Sequence, residues 1–310
     1  MLNNFGYPKI FLKLAFLSFE SCVKLSMGFS IAIPASLVSD IPHLREKTST
    51  IGMIGRAAAI FRVEEIIIFP DQPKKDQRKE ANLIKLILSY METPQYLRKR
   101  LFKIRPELRY VGVLPPLRTP HHPLARSSED LKIGEFREGV VVSSSKKGSK
   151  IYIGVEKLAF VREVKLPVGK RVTVKIVRLN GEIEAVLAER DEIKAYWGYK
   201  VEFSKQSLGK ILKSKRWDLI IATSKYGSDF MKVKNRLAER WKTARSKLVV
   251  FGAPTAGLYE ILERENLNLN ELADFVVNII PKQGTETVRT EEAVYASLAV
   301  LNVYLSNNQT

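Results

Sequence analysis

Residues able to do chemistry concentrate late in the sequence, from Val276 to Ala293. An apolar run, Val276-Val277-Asn278-Ile279-Ile280, leads into a polar loop punctuated by Pro281 and Gly284, and an apolar-periodic segment follows from Ala293 to Leu305. The pattern predicts strand, loop and helix. Such a turn suits a polar small molecule, because backbone groups at a strand's end and amides at a helix start already point outward. The same composition also makes ordinary turns, and Glu291 and Glu292 would sit well in a helix's first turn without any further role. From Gln95 to Arg105, basic residues including Arg98 and Arg100 alternate with an aromatic and aliphatic stripe. That suits phosphate, and equally a solvated basic face over a packed apolar one. His121 and His122 invite a metal reading, but no Cys, Asp or Glu cluster nearby completes a ligand set, so no metal is expected.

The elements that must position these residues read as alternating strands and helices. Phe29 to Ile33 ends at Pro34, and Ser49 to Phe61 carries Ile51, Ile54, Ala58 and Phe61 at helical spacing. Val63 to Phe69, closed by Pro70, is too short for a buried helix and reads as a core parallel strand. Ala81 to Tyr90 is a second helix. In the last third, Leu219 to Ser224, Leu248 to Phe251 and Val276 to Ile280 are buried strands separated by helical segments, with Thr255 placed to cap the helix that follows the second. Each strand ends in small or polar residues, and parallel strands would bring all three loops to one sheet edge.

Between the halves the texture changes. Leu114 to Pro123 is proline-dense and marks a boundary. Short strands then follow at Phe136 to Val142, Ile151 to Val155, Leu158 to Val161, Val172 to Val177 and Ile183 to Ala188, with turn signals at Lys147-Gly148-Ser149 and Asn180-Gly181. They suggest a small OB-type barrel, a fold that commonly binds single-stranded nucleic acid. Lys146, Lys147, Lys150 and Lys157 could supply charge, with Tyr152 or Phe160 as a stacking face.

Composition agrees with a nucleic-acid partner. The 310 residues are 45% hydrophobic, and 51 Lys and Arg against 33 Asp and Glu give a net charge of +18. That excess favours polyanions, RNA or DNA first. A single cysteine, Cys22, permits no internal disulfide and points to a reducing cytoplasm. No apolar run reaches the roughly 18 to 20 residues that span a bilayer, so no membrane partner is expected. Ile10 to Leu17 is similar to a signal-peptide core, but Lys13 divides it and Glu20 follows. Residues 1–27 are set apart as an amino-terminal extension, with translation expected to start at Met27.

Three segments resemble the SPOUT class of S-adenosylmethionine-dependent RNA methyltransferases. Phe251-Gly252-Ala253-Pro254 is similar to its second motif, and Asn278 to Pro281 with Gln283 to Ala293 resembles its third. Thr50 to Ile66, containing Arg56, looks like the motif that carries a functional arginine in ribose-methylating members, although Thr50 stands where asparagine is usual. The Pro115 to Pro123 run, the barrel and Tyr196-Trp197-Gly198-Tyr199 resemble an archaeal and eukaryotic subfamily with an OB-like domain inserted in the catalytic domain. The resemblance covers about residues 28 to 305. It implies an α/β fold whose parallel sheet, flanked by helices, holds a trefoil knot, and a homodimer. It divides the chain into a methyltransferase domain, 28–118 and 197–310, and an inserted barrel domain, 119–196.

The resemblance also assigns residues. S-adenosylmethionine would lie among Thr223, Ser224, Phe251, Gly252, Ala253, Pro254, Asn278, Ile279, Ile280, Pro281, Gly284, Thr285, Thr287 and Ala293. Gly252 and Gly284 would let backbone approach the ligand, or simply turn the chain. Arg56, Arg289 and Glu291 are the candidates facing substrate. An arginine is a poor base but can hold phosphate or a developing oxyanion, with Glu291 as proton acceptor. RNA would meet Arg98, Arg100, Arg118, Lys146, Lys147 and Lys150. Thr50 favours a base over a ribose hydroxyl, and the subfamily suggests uridine N3 of ribosomal RNA. Two rivals stand: a catalytically silent ribosome-assembly factor that keeps the pocket, and a dinucleotide enzyme, whose glycine fingerprint is missing after the first strand.

Overall fold

A computed structural model describes residues 29–306, so the expected start at Met27 and the extension before it lie outside the described residues. The first half of the main body comprises β1 (Phe29–Pro34), α1 (Leu44–Ile60), β2 (Glu65–Phe69), α2 (Arg78–Glu92) and α3 (Gln95–Leu101). The barrel follows as β3 (Phe136–Ser145), β4 (Gly148–Tyr152), β5 (Ala159–Arg162), β6 (Arg171–Arg178) and β7 (Ile183–Leu187). The chain then returns through β8 (Lys200–Phe203), α4 (Leu208–Lys213), β9 (Leu219–Asp229), α5 (Phe230–Thr243), β10 (Lys247–Val250), α6 (Leu258–Glu263), α7 (Leu269–Leu272), β11 (Phe275–Asn278) and α8 (Thr290–Ser306).

Six strands form one sheet in the order β11-β9-β10-β1-β2-β8, every pair parallel. Successive apolar side chains feed two cores. Ile31, Ile66, Ile68, Ile221 and Val249 pack on the α1, α2, α5 and α8 side. Ala32, Ile67, Phe69, Ile220 and Val250 pack on the α4 and α6 side. Burial on both faces is why these strands read as continuous apolar runs. The other five strands close a barrel, β3-β4-β5-β7-β6, around Val141, Ile151, Ile153, Val161, Val174 and Ile176. This is the OB-like insert and helix-flanked parallel sheet that the SPOUT resemblance implies.

Several local expectations are corrected. The turn between β3 and β4 is Lys146-Lys147, and Gly148 already pairs with Ser145. Gly148 has φ 144, and a Cβ there would lie 2.2 Å from the Val161 carbonyl oxygen, so strand pairing rather than turning demands glycine. Helix α6 is preceded by Gly257, with Thr255 exposed in the turn before it rather than capping. Strand β9 does not stop at Ser224. Its pairing with β11 jumps from Ala222 to Ser228, so residues 223–227 bulge out before Asp229, whose carboxylate accepts from the Met231 amide at the start of α5.

Strand β11 is an edge strand, yet α8 packs with α1 and α5 over the sheet. The segment between them must double back past the ends of β9 and β10. Thr290 Oγ1 donates to the Gly252 carbonyl at 2.9 Å, which ties this return to the loop after β10. That crossing is where the resemblance places the knot, a rare departure from unthreaded connections. The sheet's two edges are thereby given different work: ligand-type loops at the carboxyl ends of β9, β10 and β11, and the barrel at the amino-terminal edge. Tyr196, just after the barrel, donates to the Val63 carbonyl at 2.7 Å, immediately before β2.

Candidate functional site

Three segments converge at the carboxyl edge. Thr223 Oγ1 donates to the Val250 carbonyl at 3.0 Å, joining the β9 bulge to β10. Asn278 Nδ2 donates to the Lys225 carbonyl at 3.0 Å, and Asn278 Oδ1 accepts from the Ile280 amide at 3.0 Å. Gln283 Nε2 then donates to the carbonyls of Thr285 and Glu286, at 2.9 and 3.1 Å, shaping the loop from within. Gly227 permits the bulge, since a Cβ there would come within 2.7 Å of the Val276 and Val277 backbone. The structure thus brings together Thr223, Ser224, Gly252, Asn278, Ile279, Ile280 and Ala293 as half-buried residues, beside exposed Pro281, Gly284, Thr285 and Thr287.

Some expected contributions change in kind. Phe251 is fully buried in the sheet core, so its backbone alone faces the loops. Gly284 has an ordinary φ and a Cβ on it would meet open space. The left-handed turn is made instead by Lys282, at φ 56, directly after Pro281. A Cβ on Gly252 would sit 3.3 Å from the Ala256 carbonyl oxygen, so a tight loop, with Ala253 and Pro254 half-buried in it, explains that glycine.

The start of α8 carries the candidates that face substrate. Arg289 is exposed, and its amide donates to Glu292 Oε2 at 2.9 Å, so Glu292 serves the helix start. Glu291, by contrast, is only 5% exposed. Burial pushes its carboxyl above the ordinary carboxylate range, against the opposing pull of Arg289. Arg56, on α1, lies near enough to Tyr295 of α8 for its charge to act on that phenol, and donates through Nη1 to the carbonyls of Pro116 and Leu117 at 2.9 and 2.7 Å. Its position on α1 makes it a latch on the proline-dense linker in this chain.

Among the expected RNA contacts, Lys146, Lys147 and Lys150 are exposed on the barrel and Arg118, with φ 50, is exposed on the linker. Arg100 is exposed and stacks 4.4 Å over the Tyr152 ring. Arg98 turns inward. Its guanidinium donates to the carbonyls of Thr93 and Met91 at 2.9 and 3.0 Å, so this residue closes the end of α2.

Sequence reasoning missed the joint that fixes the barrel. Arg171 on β6 grips Glu92 at the end of α2 with both terminal nitrogens, at 2.6 and 3.0 Å, and donates through Nε to Glu138 on β3 at 2.6 Å. The other Glu138 oxygen accepts from Thr173 Oγ1 and from Trp197 Nε1, both at 2.6 Å. His121 and His122 donate to the Glu92 carbonyl at 3.0 and 2.6 Å. The histidine pair is therefore a structural brace, and among the described residues no group of three potential ligands could hold a metal. Burial alone would raise the Glu92 carboxyl, but the His121 and Arg171 contacts outweigh it and hold it at about 2. Burial pushes His122 down to about 4. The signal in the sequence was an isolated acid at a helix end and an isolated arginine in a strand, which only the fold brings together.

Residues 28–301 match the family model described as "Putative RNA methyltransferase". The chain belongs to this family of RNA methyltransferases. An uncharacterized protein of Haloarcula marismortui is 32% identical over 290 residues, covering 89% of this chain and 99% of that one. One from Halobacterium salinarum is 34% identical over 293 residues, with the same coverage. A mouse 28S rRNA (uridine-N(3))-methyltransferase is 33% identical over 303 residues, covering 88% of this chain and 75% of that protein. Membership makes this an enzyme acting on RNA with a methyl donor. Among the described residues, no helix is long and apolar enough to cross a membrane.

Proposed function

We propose that this chain is an S-adenosylmethionine-dependent methyltransferase that modifies N3 of a uridine in ribosomal RNA, as a cytoplasmic homodimer. The observation that carries the reading is 33% identity, over 88% of the chain, to a 28S rRNA uridine-N3 methyltransferase. The carboxyl-edge loops suit the donor. They pair open backbone and polar side chains at 281–287 with half-buried Ile279, Ile280 and Ala293, a mixture suited to an adenosyl group bearing a charged amino acid end. When bound, the sulfonium supplies an electrophilic methyl group. The chain must then align N3 and accept one proton.

Glu291 is the residue we assign to that proton. A carboxylate raised by burial is a stronger base than an exposed one, and Arg289 beside it would steady charge developing on the uracil oxygens. Arg289 and Glu291 face substrate, with Arg56 supporting the linker behind them. Arg100, Arg118, Lys146, Lys147 and Lys150 hold RNA, and Arg98 supports them from inside. The division into 28–118 with 197–310 and an inserted 119–196 follows the same reading. It is supported by the barrel strands lying within 136–187, although His121 ties back to the main body through the Glu92 carbonyl. The test is to incubate the protein with donor carrying a deuterated methyl group and unmodified large-subunit rRNA, then digest and weigh the nucleosides. Deuterated N3-methyluridine is expected. A deuterated ribose, or no transfer despite donor binding, would refute the reading, the latter in favour of an assembly factor.

A further inference from the structure

Helix α5 carries a charge pattern that the catalytic reading leaves unused. Between Phe230 and Thr243 it holds Lys232, Lys234, Arg236, Arg240 and Lys242 against the single acid Glu239. Lys232, Arg236 and Arg240 recur every four residues and so share a stripe. All three are exposed. The stripe spans about 12 Å along the axis, room for more than one phosphate of an extended strand. Arg240 is partly engaged, by the Asp218 carbonyl at 3.0 Å and Asp274 at 3.4 Å, whereas Lys232 makes no hydrogen bond or ion pair among the described residues.

The stripe runs toward the carboxyl-edge loops. The β9 bulge that carries Lys225 and Tyr226 leads through Asp229 directly into the start of α5, with Tyr226 72% exposed and the Lys225 ammonium 5.2 Å from its ring centre. The Lys225 carbonyl accepts from Asn278, so this aromatic tip is tied directly to the loop after β11. Aromatic faces beside cations are how proteins hold single-stranded nucleic acid without reading its sequence. A second copy of the chain is a poor occupant, because a two-fold interface would set this cationic stripe against itself.

We propose that Lys232 and Arg236, with Lys225 and Tyr226, form a second RNA-binding surface, which holds the strand flanking the methylated nucleotide from the side of the sheet opposite the barrel. It rests on the reading that the carboxyl-edge loops are the reaction site. The barrel, joined beyond α2 and β8, would grip a more distant part of the same RNA, so the substrate must be structured enough to meet both surfaces.

The test uses the full chain and large-subunit rRNA transcribed in vitro, with filter binding measured across a salt series. Lys232→Glu combined with Arg236→Glu is expected to weaken binding about tenfold near physiological salt and to lower the salt slope by about two, one per lost phosphate contact. Donor affinity and oligomeric state should not move. Unchanged RNA affinity and slope would overturn the proposal; so would a change in oligomeric state, which would assign α5 to a contact between copies. If the double variant fails to fold, ultraviolet crosslinking of the wild-type complex decides instead. Nucleotide adducts on Tyr226 or α5 peptides are expected, and adducts confined to the barrel would overturn the surface. Absence of methyl transfer by the wild type would sink the catalytic reading while leaving these binding results to stand or fall separately.

Discussion

At the amino-terminal edge of the sheet, Glu92, Glu138 and Arg171 satisfy one another at 2.6 to 3.0 Å, with both carboxylates nearly buried. At the carboxyl edge, Pro281, Gly284, Thr285 and Thr287 stay exposed on a loop shaped mainly by its own Asn278 and Gln283. The same chain uses polar atoms to fix one edge and leaves them open at the other. Paired charges out of water resist disruption because removing one strands the rest, whereas a loop with few buried contacts has low local stability and can close on a ligand at little cost. The joint therefore sets where the barrel stands, and the loops set what reacts.

Breaking the joint should produce the largest effect. Arg171→Met leaves two buried carboxylates without their counter-ion, and urea unfolding should show a loss of about 3 to 5 kcal/mol; a loss below about 1 kcal/mol, the surface-pair range, would erase the contrast between the edges. Gly227→Ala places a methyl group against the Val276 and Val277 backbone. It should cost about 1 to 3 kcal/mol as an overpacked contact and also weaken donor binding, because the bulge and the β11 loop move together. Thr290→Val removes the tie to the Gly252 carbonyl. It should cost about 1 kcal/mol, and full retention of both stability and donor affinity would show that the return strand needs no clasp.

Acid should separate the two edges by sign. Glu92 has a folded value of about 2, below its unfolded one, so its contribution is present above pH 4.5 and is lost as pH falls toward 2. His122 is held at about 4 against an ordinary 6.5, so it too costs stability as pH falls through that interval, when the unfolded chain takes up the proton first. Glu291 is shifted upward, so its effect on stability runs the other way, favouring the fold at pH below its raised value, while methyl transfer should rise as it ionises. A transfer rate flat with pH in wild type, or unaltered in Glu291→Gln, would remove Glu291 from the proton step.

Much of this was legible in the sequence, for physical reasons. Apolar runs such as Val63 to Phe69 read correctly as core parallel strands because both faces of the sheet are covered, the strand itself spanning Glu65–Phe69, and short strands separated by turn signals read as a barrel. The loops at Gly252 and Pro281 were legible through breakers and the family resemblance. What escaped depends on distant residues meeting. Arg98 reads as a cation for RNA, but it is tied to backbone carbonyls that a helix end leaves unpaired; Arg56, a candidate for the substrate side, also holds the linker carbonyls of Pro116 and Leu117, a contact that only the fold reveals. The histidine pair gained its role from Glu92, some thirty positions away. Gly284 reads as a close approach to ligand or as a turn, and the turn falls instead on Lys282 because Pro281 fixes φ at the position before it.

Gly284 nevertheless offers the cleanest trial of the central claim, because it is exposed and a Cβ there meets nothing within 4 Å, so a side chain can extend from the loop without displacing the fold. Calorimetric titration of S-adenosylmethionine into the wild type and Gly284→Trp, with melting temperatures recorded for both, isolates the loop's role as donor site. Binding to the wild type, weakened at least tenfold in the variant, or about 1.4 kcal/mol, at an unchanged melting temperature, is the expected result. Equal binding by both proteins would place the donor elsewhere, and no binding by the wild type would contradict the account outright.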